Sequence, residues 1–354
     1  MSQYPQIDLA DLKTMSIADR SSKVSVADFG SALPYLPLTP SETEGEGGGV
    51  PTAGRNDNSG GPTAAPLLQS QPATVRELLE SLPNILAGRW LRTLCERVAA
   101  ARKSGKPVAV SMGAHVIKCG LSPVLIDLMT RGIITSLSMN GAGAIHDSEI
   151  AMFGCTSEDV VDGMHTGLFG MARETADFLN GCASVAAREG LGFGECLGKS
   201  LVELDAPHSE VSLLASAYRR KIPVTVHVCI GCDIVHMHPS ADGAAIGEAS
   251  LRDFRILTAA LSDLGGGGVL MNLGSAVVLP EVILKALTTV INLGSDLSGM
   301  TGFNLDFVQH YRSNQQVVAR VKEIGGDGLS LTGHHELMIP LIAAGIREAM
   351  ASCR

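Results

Sequence analysis

The sequence predicts a doubly wound α/β fold, a mostly parallel Rossmann-like sheet covered by helices on both faces. Short, nearly continuous apolar runs alternate with longer stretches of helical period, as strands buried on two sides require. Glycine is plentiful at 40 residues and aromatic side chains make up only 4%, which suits close helix-on-sheet layers better than a β-sandwich. Polar residues collect immediately after the apolar runs, where an open α/β sheet presents its ligand crevice.

Residues 1–45 read as an N-terminal arm with apolar anchors at Leu9, Leu12, Val24 and Phe29. Residues 46–73 are rich in Gly, Pro and Asn, have almost nothing to bury, and read as a flexible linker. The remaining 74–354 read as one folded domain. It opens with one long helix from Thr74, stopped at Gly105. A strand at 107–112, a helix at 122–132 and a strand at 133–139 follow. The stretch 156–182 is helical in period, with Thr156 and Asp159 spaced like a capping box. A helix at 209–221 leads to the strand IPVTVHVC, a helix at 250–265 to GGVLMNL, and a helix at 279–294 to GMTGFNL. ELMIPLIAAGIREAMA closes the chain as a helix.

A formal net charge of −9 argues against a grip on nucleic acid, which needs clustered Lys and Arg. No apolar run reaches the ~20 residues of a membrane span. The start MSQYPQIDLADLK lacks the basic and apolar regions of a signal peptide. Eight cysteines scattered through apolar segments fit a reducing cytoplasm.

The polar residues group by strand end. Ser111, Gly113, His115 and Lys118 follow the first strand; Asn140, Gly141, Gly143, His146 and Asp147 follow the second. His227, Cys229, Cys232, Asp233, His236, His238 and Asp242 follow the third. Asn272, Gly274 and Ser275 follow the fourth, and Asn304, Asp306, His310 and Arg312 the fifth; His334, His335 and Glu336 precede the last helix. GAGAIH is either a phosphate cradle at a helix start or a plain strand-to-helix turn, since His146 stands where G-x-G-x-x-G has its third glycine. The single CxxC in VCIGC reads as small residues at a turn, there being no second pair to complete a zinc site. The histidines at 227, 236, 238, 334 and 335 offer a second function, a metal-dependent hydrolase. A non-catalytic NAD-binding subunit is a third, because a fold does not fix a function.

Over residues 75–354 the chain resembles the deoxyhypusine synthases, in particular the bacterial deoxyhypusine synthase-like branch. The family's glycine turn and acidic triplet correspond to MNGAGAIHD, its Asp-Gly-Ser-x-Gly-Asp stretch to VCIGCD, its triple glycine to GGGGV, and an Asn to Asn304. The resemblance implies an NAD-dependent transferase of alkyl groups. In that family NAD takes a hydride from a polyamine, a lysine captures the aminobutyl group as an imine, and a lysine of a protein acceptor receives it. It also implies a homotetramer with NAD at subunit interfaces.

The departures fall on the polyamine side. The family's adjacent glutamates become Ile145 and His146, leaving Asp147; the first acid of the later loop becomes Val228, leaving Asp233; and its histidine falls near Leu273. Its Trp-Gly-Lys is missing, the only Trp being Trp90, so RVK makes Lys322 the nearest candidate for the imine-forming lysine. Each lost carboxylate removes an ion-paired hydrogen bond worth roughly 1.5–3 kcal/mol. The expected substrate is therefore a small amine carrying less charge than spermidine. The expected catalytic residues are His146, Asp147, Asp233, His236 and Lys322. The expected NAD contacts are Ser111, Gly113, His115, Asn140, Gly141, Gly143, Gly274, Ser275, Asn304, Asp306 and His334, and no metal is expected.

Overall fold

The computed structural model describes residues 14–20, 22–25 and 74–352. The linker expected at 46–73 lies outside the described residues. Six strands, β2 (Val108–Met112), β3 (Ser136–Asn140), β5 (Val224–His227), β6 (Val269–Leu273), β7 (Thr301–Asp306) and β8 (Asp327–Thr332), form one sheet in the order β5-β3-β2-β6-β7-β8. Every pairing in it is parallel. Counted along the chain, this is the order third, second, first, fourth, fifth, sixth, that of dinucleotide-binding sheets, with its switch point between β2 and β6. Two further strands, β1 (Ser22–Ser25) and β4 (Cys155–Glu158), pair antiparallel outside it.

Alternation along the strands builds two cores. Val108, Val110 and Met112 face one apolar layer with Met271, Leu273 and Ile339, while Ala109 and Leu270 face the other with Leu257, Ile283 and Val321. One register row breaks the pattern. Thr225, Ser138, Ser111, Asn272, Asn304 and Ser330 are neighbours across all six strands, so a polar belt crosses the sheet close to its carboxyl edge.

The structure divides several predicted elements. The first helix is two, Val75–Ser81 and Leu86–Lys103, because Pro83 carries no amide and restricts Leu82 to an extended backbone. Thr156 is no helix cap: it lies in β4 opposite Val24, and Asp159 alone caps Val160–Thr166 through amide bonds of 2.9 and 3.2 Å. Phe193–Glu203 forms a helix and 327–332 an edge strand that the periodicity did not single out. No helix among the described residues is long and apolar enough to cross a membrane.

Candidate functional site

The helix Gly141–Phe153 starts directly at the end of β3. Asn140 caps it, its Oδ1 accepting from the Gly143 amide at 2.9 Å. The Asp233 carboxylate lies flat on Gly141, so close that a Cβ there would fall 1.9 Å from Oδ2, and it accepts from the Ala142 backbone. The positive end of the helix is thus already met by an internal anion and an amide side chain. Asn140, Gly141 and Gly143 are used up in that connection and leave no open cradle for a pyrophosphate; the GAGAIH turn is a strand-to-helix connection. Asp233 Oδ2 is buried without a hydrogen-bond partner, and burial raises its carboxyl to about 6. His236 Nε2 stands 4.0 Å away, but burial pushes this imidazole below its ordinary value, and its Nδ1 accepts from the Gly231 amide at 3.2 Å.

On the same helix, one turn beyond His146, Glu149 is the centre of a buried network. Arg20 grips it with both terminal nitrogens, at 2.9 and 3.0 Å, and approaches Glu158 at 3.7 Å. Thr175 donates to Glu149 at 2.9 Å, and Thr156 donates to its other oxygen. Since the Thr156 proton goes to a carboxylate, its oxygen must accept from His146 Nδ1, 2.7 Å away. That bond fixes the imidazole as the Nδ1-protonated tautomer and leaves Nε2 a bare acceptor. Burial lowers His146 to about 4, so it is neutral at physiological pH.

His146 and Asp233 share a cavity of about 220 Å³ with Lys118, Glu158, Cys232 and Phe169. Burial raises Glu158 above the usual carboxylate range, although it accepts from the Gly170 amide at 3.0 Å. The volume gives room for a small molecule.

A second cluster lies over the switch point. The Gly113 amide donates to Leu273 O at 2.9 Å, and a Cβ on Gly113 would fall 2.2 Å from Gly274 O. Gly274 has φ +70°, and a Cβ there would meet the His335 ring at 2.6 Å. These glycines let two loops and one imidazole close on each other. Asn272 Nδ2 donates to Asn304 Oδ1 at 2.8 Å and Asn304 Nδ2 to Gln309 at 2.9 Å, while Ser275 Oγ accepts from the Leu279 amide at 3.2 Å. Ser111 Oγ, Asn272 Oδ1 and both ring nitrogens of His335 are buried without a partner. Asp306 Oδ1 is 3.8 Å from His335 Nε2 and accepts from the Phe307 amide at 2.8 Å. Above His335, exposed rings make a face: His115 lies 5.6 Å from His335 and 6.0 Å from Phe307, and His334 lies parallel to Phe307 at 6.3 Å. The short helix His115–Lys118 joins the two clusters, its histidine in this face and its lysine in the cavity wall.

The predicted residues therefore sort into two places. His146 and Asp233 line the cavity, and His236 stands outside its lining, 4.0 Å from Asp233. Ser111, Gly113, His115, Gly274, Ser275, Asn304, Asp306 and His334 gather at the switch point. Asp147 reaches neither: fully buried on the far face of its helix, it accepts from Ser212 Oγ and the Leu213 and Leu214 amides at 2.6–3.0 Å, capping Leu213–Arg220. Burial raises Asp147 to about 6, and its role is structural. Lys322 is exposed at the opposite end of the sheet, its side chain beside Gly328 near the start of β8, and is remote from the carboxyl edge. The five histidines of the metal reading also separate. His227 bonds Thr225 at 2.9 Å, His238 bonds Gly170 O at 2.8 Å, and His334 and His335 belong to the second cluster. Among the described residues no group of three or more His, Cys, Asp or Glu is placed to hold a metal ion.

Arg20, Thr156, Glu149, Glu158 and Phe307 were not singled out by sequence as site residues, and Lys118 was grouped with the first strand end without a role. Glu149 had a signal, its helical spacing from His146; Arg20 had none, since it arrives from 129 residues away.

No protein-family model and no curated protein matches this sequence. Solved structures resemble it at low identity, with TM-scores below 0.5. AgrE, solved with ornithine and NAD+, is 17% identical over 76% of this chain, with TM-score 0.48. This chain spans only 34% of the AgrE chain. A candidate LOR/SDH protein from Methanococcus maripaludis S2 is 14% identical over 79% of this chain and 71% of that one, with TM-score 0.44. A candidate deoxyhypusine synthase from Entamoeba histolytica is 10% identical over 77% and 93%, also with TM-score 0.44.

Proposed function

We propose that this chain is an NAD-dependent enzyme that oxidises a small amine, with the amine in the 220 Å³ cavity and the dinucleotide along the β2/β6 switch point. The observation that carries the reading is the pairing of a neutral imidazole, its Nε2 left bare by the Thr156 bond, with an unpartnered buried carboxylate in one cavity. The switch-point residues fit a dinucleotide: orphaned polar atoms on Ser111, Asn272 and His335, amide side chains, and an exposed face of rings for a planar base. When bound, NAD would supply the acceptor for a hydride.

The residues divide the remaining work. Asp233 holds the substrate ammonium by a charge-assisted hydrogen bond. His146 Nε2 takes one proton from that ammonium, leaving the free amine whose lone pair assists departure of the hydride from the adjacent carbon. Thr156 and Glu149 stabilise the resulting imidazolium through Nδ1–H, with Arg20 holding Glu149 in place. Transfer of the oxidised fragment to a lysine acceptor, and assembly as a homotetramer, are further parts of this reading that rest on the family resemblance alone.

The test is NADH absorbance on incubating the full chain with NAD and a panel of amines. His146→Gln should remove turnover by roughly 10²–10⁴-fold while NAD affinity is kept. Full turnover in that variant would remove His146 from the reaction; absence of NAD binding to the wild type would remove the reading.

A further inference from the structure

The charges that remain in the cavity after internal pairing specify more than an amine. Arg20 and Glu149 cancel each other through two hydrogen bonds. His146 contributes no charge at neutral pH. Glu158 stands 3.7 Å from the same guanidinium, and two further charged groups line the cavity. Lys118 lines the cavity and makes no ion pair among the described residues. Asp233 lines it too, its side chain only 9% exposed and its Oδ2 buried with no hydrogen-bond partner. A buried charge is stabilised only when it is paired, so Asp233 calls for a cation on the ligand, and the half-buried Lys118 offers a place for an anion.

A diamine meets Asp233 and leaves Lys118 without a counter-charge. A simple carboxylic acid fails in the mirror sense, against Asp233 and Glu158. One molecule carrying both an ammonium and a carboxylate satisfies both. We infer that the cavity takes a small α-amino acid, its ammonium on Asp233 beside His146 and its carboxylate on Lys118. The inference rests on the reading of this cavity as the substrate site and narrows the class of substrate. The apolar walls of Ile145, Val160 and Phe169 leave room for a short side chain. Lys118 is thereby a specificity residue that separates amino acids from the amines left when their carboxylate is removed.

The experiment is calorimetric titration of the NAD-loaded full chain with a panel of α-amino acids. Each is paired with the amine lacking the carboxylate and the acid lacking the amine, and 1,4-diaminobutane is included. At least one amino acid should bind roughly ten- to hundred-fold more tightly than either of its halves and than the diamine. Lys118→Met should erase the advantage over the amine, and Asp233→Asn the advantage over the acid. Both changes conserve side-chain volume, and circular dichroism checks that the variants fold. An amine or the diamine binding as tightly as every amino acid, or an unchanged ratio in Lys118→Met, overturns the zwitterion and leaves the amine site standing. Binding of no compound to protein that still binds NAD overturns the substrate reading of the cavity and this inference with it.

Discussion

The two clusters at the carboxyl edge are built on opposite principles. Around the cavity, charge is abundant and assembled from distant segments: Arg20 from the N-terminal stretch, Glu149 and His146 from one helix, Thr156 from β4, Asp233 from the loop after β5. Over the switch point, the polar groups come from the strands and their immediate ends, most are uncharged amides and hydroxyls, and several are orphaned. A site that moves a proton needs charges held in fixed orientation, which takes a network. A site that recognises hydroxyls and amides needs only donors and acceptors presented by a rigid sheet edge.

The contrast is broken most severely by opening the Arg20–Glu149 pair, whose side chains are 4% and 1% exposed. Arg20→Met should cost about 3–5 kcal/mol, because an unpaired buried carboxylate is left behind. Adding Glu149→Leu should recover most of that loss. Urea unfolding of the two singles and the double measures the coupling, and strict additivity would mean that the pair contributes nothing jointly. At the switch point the matching change, Asn272→Ala, should cost only about 1–3 kcal/mol, since it orphans the uncharged Asn304 Oδ1 and leaves Ser275 O with Ser313 as its donor.

Two glycine variants sharpen the same division by ligand. In Gly141→Ala the new methyl displaces the Asp233 carboxylate, so amine binding should weaken by roughly ten-fold or more while NAD affinity is kept. In Gly274→Ala the methyl meets His335 at a φ of +70°, so NAD affinity should fall and cavity binding should not. Equal losses of both ligands in either variant, measured by titration, would show that the clusters are one site.

How much of this division was legible in the sequence follows from distance along the chain. The switch-point set was nearly complete because each of its members follows a strand, and the end of a buried apolar run can be read directly. The polar belt was visible only in part: Ser111, Asn272 and Asn304 stood out at strand ends, Thr225, Ser138 and Ser330 did not, and only register makes the six a row. The cavity was half-read. His146 and Asp233 stood out as reactive types, but the residues that tune His146 come from elsewhere in the fold. Asp147 misled for a physical reason: one residue along a helix turns a side chain by about 100°, so its neighbour faces the cavity while it faces the core. Lys322 was placed by motif alignment alone, and topology puts it at the other end of the sheet.

A smaller effect tests the cavity charges by pH. An Asp233 carboxyl raised to about 6 must be ionised to hold an ammonium, so binding should be strongest above that pH and fall by up to about ten-fold per unit below it. Glu158, also raised, titrates in the same sense, and the neighbouring His236 and His146 are shifted downward. The slope that disappears in Asp233→Asn is therefore the part that belongs to Asp233. A profile flat from neutral pH to below 5 in the wild type would place the ammonium elsewhere.

The smallest expected effect is on one hydrogen bond, and it decides whether the cavity network does more than hold the fold. Thr156 passes its proton to Glu149 and so obliges His146 to donate from Nδ1. Thr156→Val keeps the shape of the side chain and removes that constraint. Stability should fall by only about 1–2 kcal/mol, the loss of a buried hydroxyl link. The imidazole, however, loses its reason to prefer one tautomer. Nitrogen-15 shifts of His146 should change from a single Nδ1-protonated form in the wild type to a mixture in the variant. Turnover should fall in proportion to the lost population, with substrate affinity unchanged, because Asp233 is untouched. A His146 that remains wholly Nδ1-protonated in Thr156→Val would mean that some other group sets the tautomer and that the Arg20–Glu149–Thr156 chain is structural.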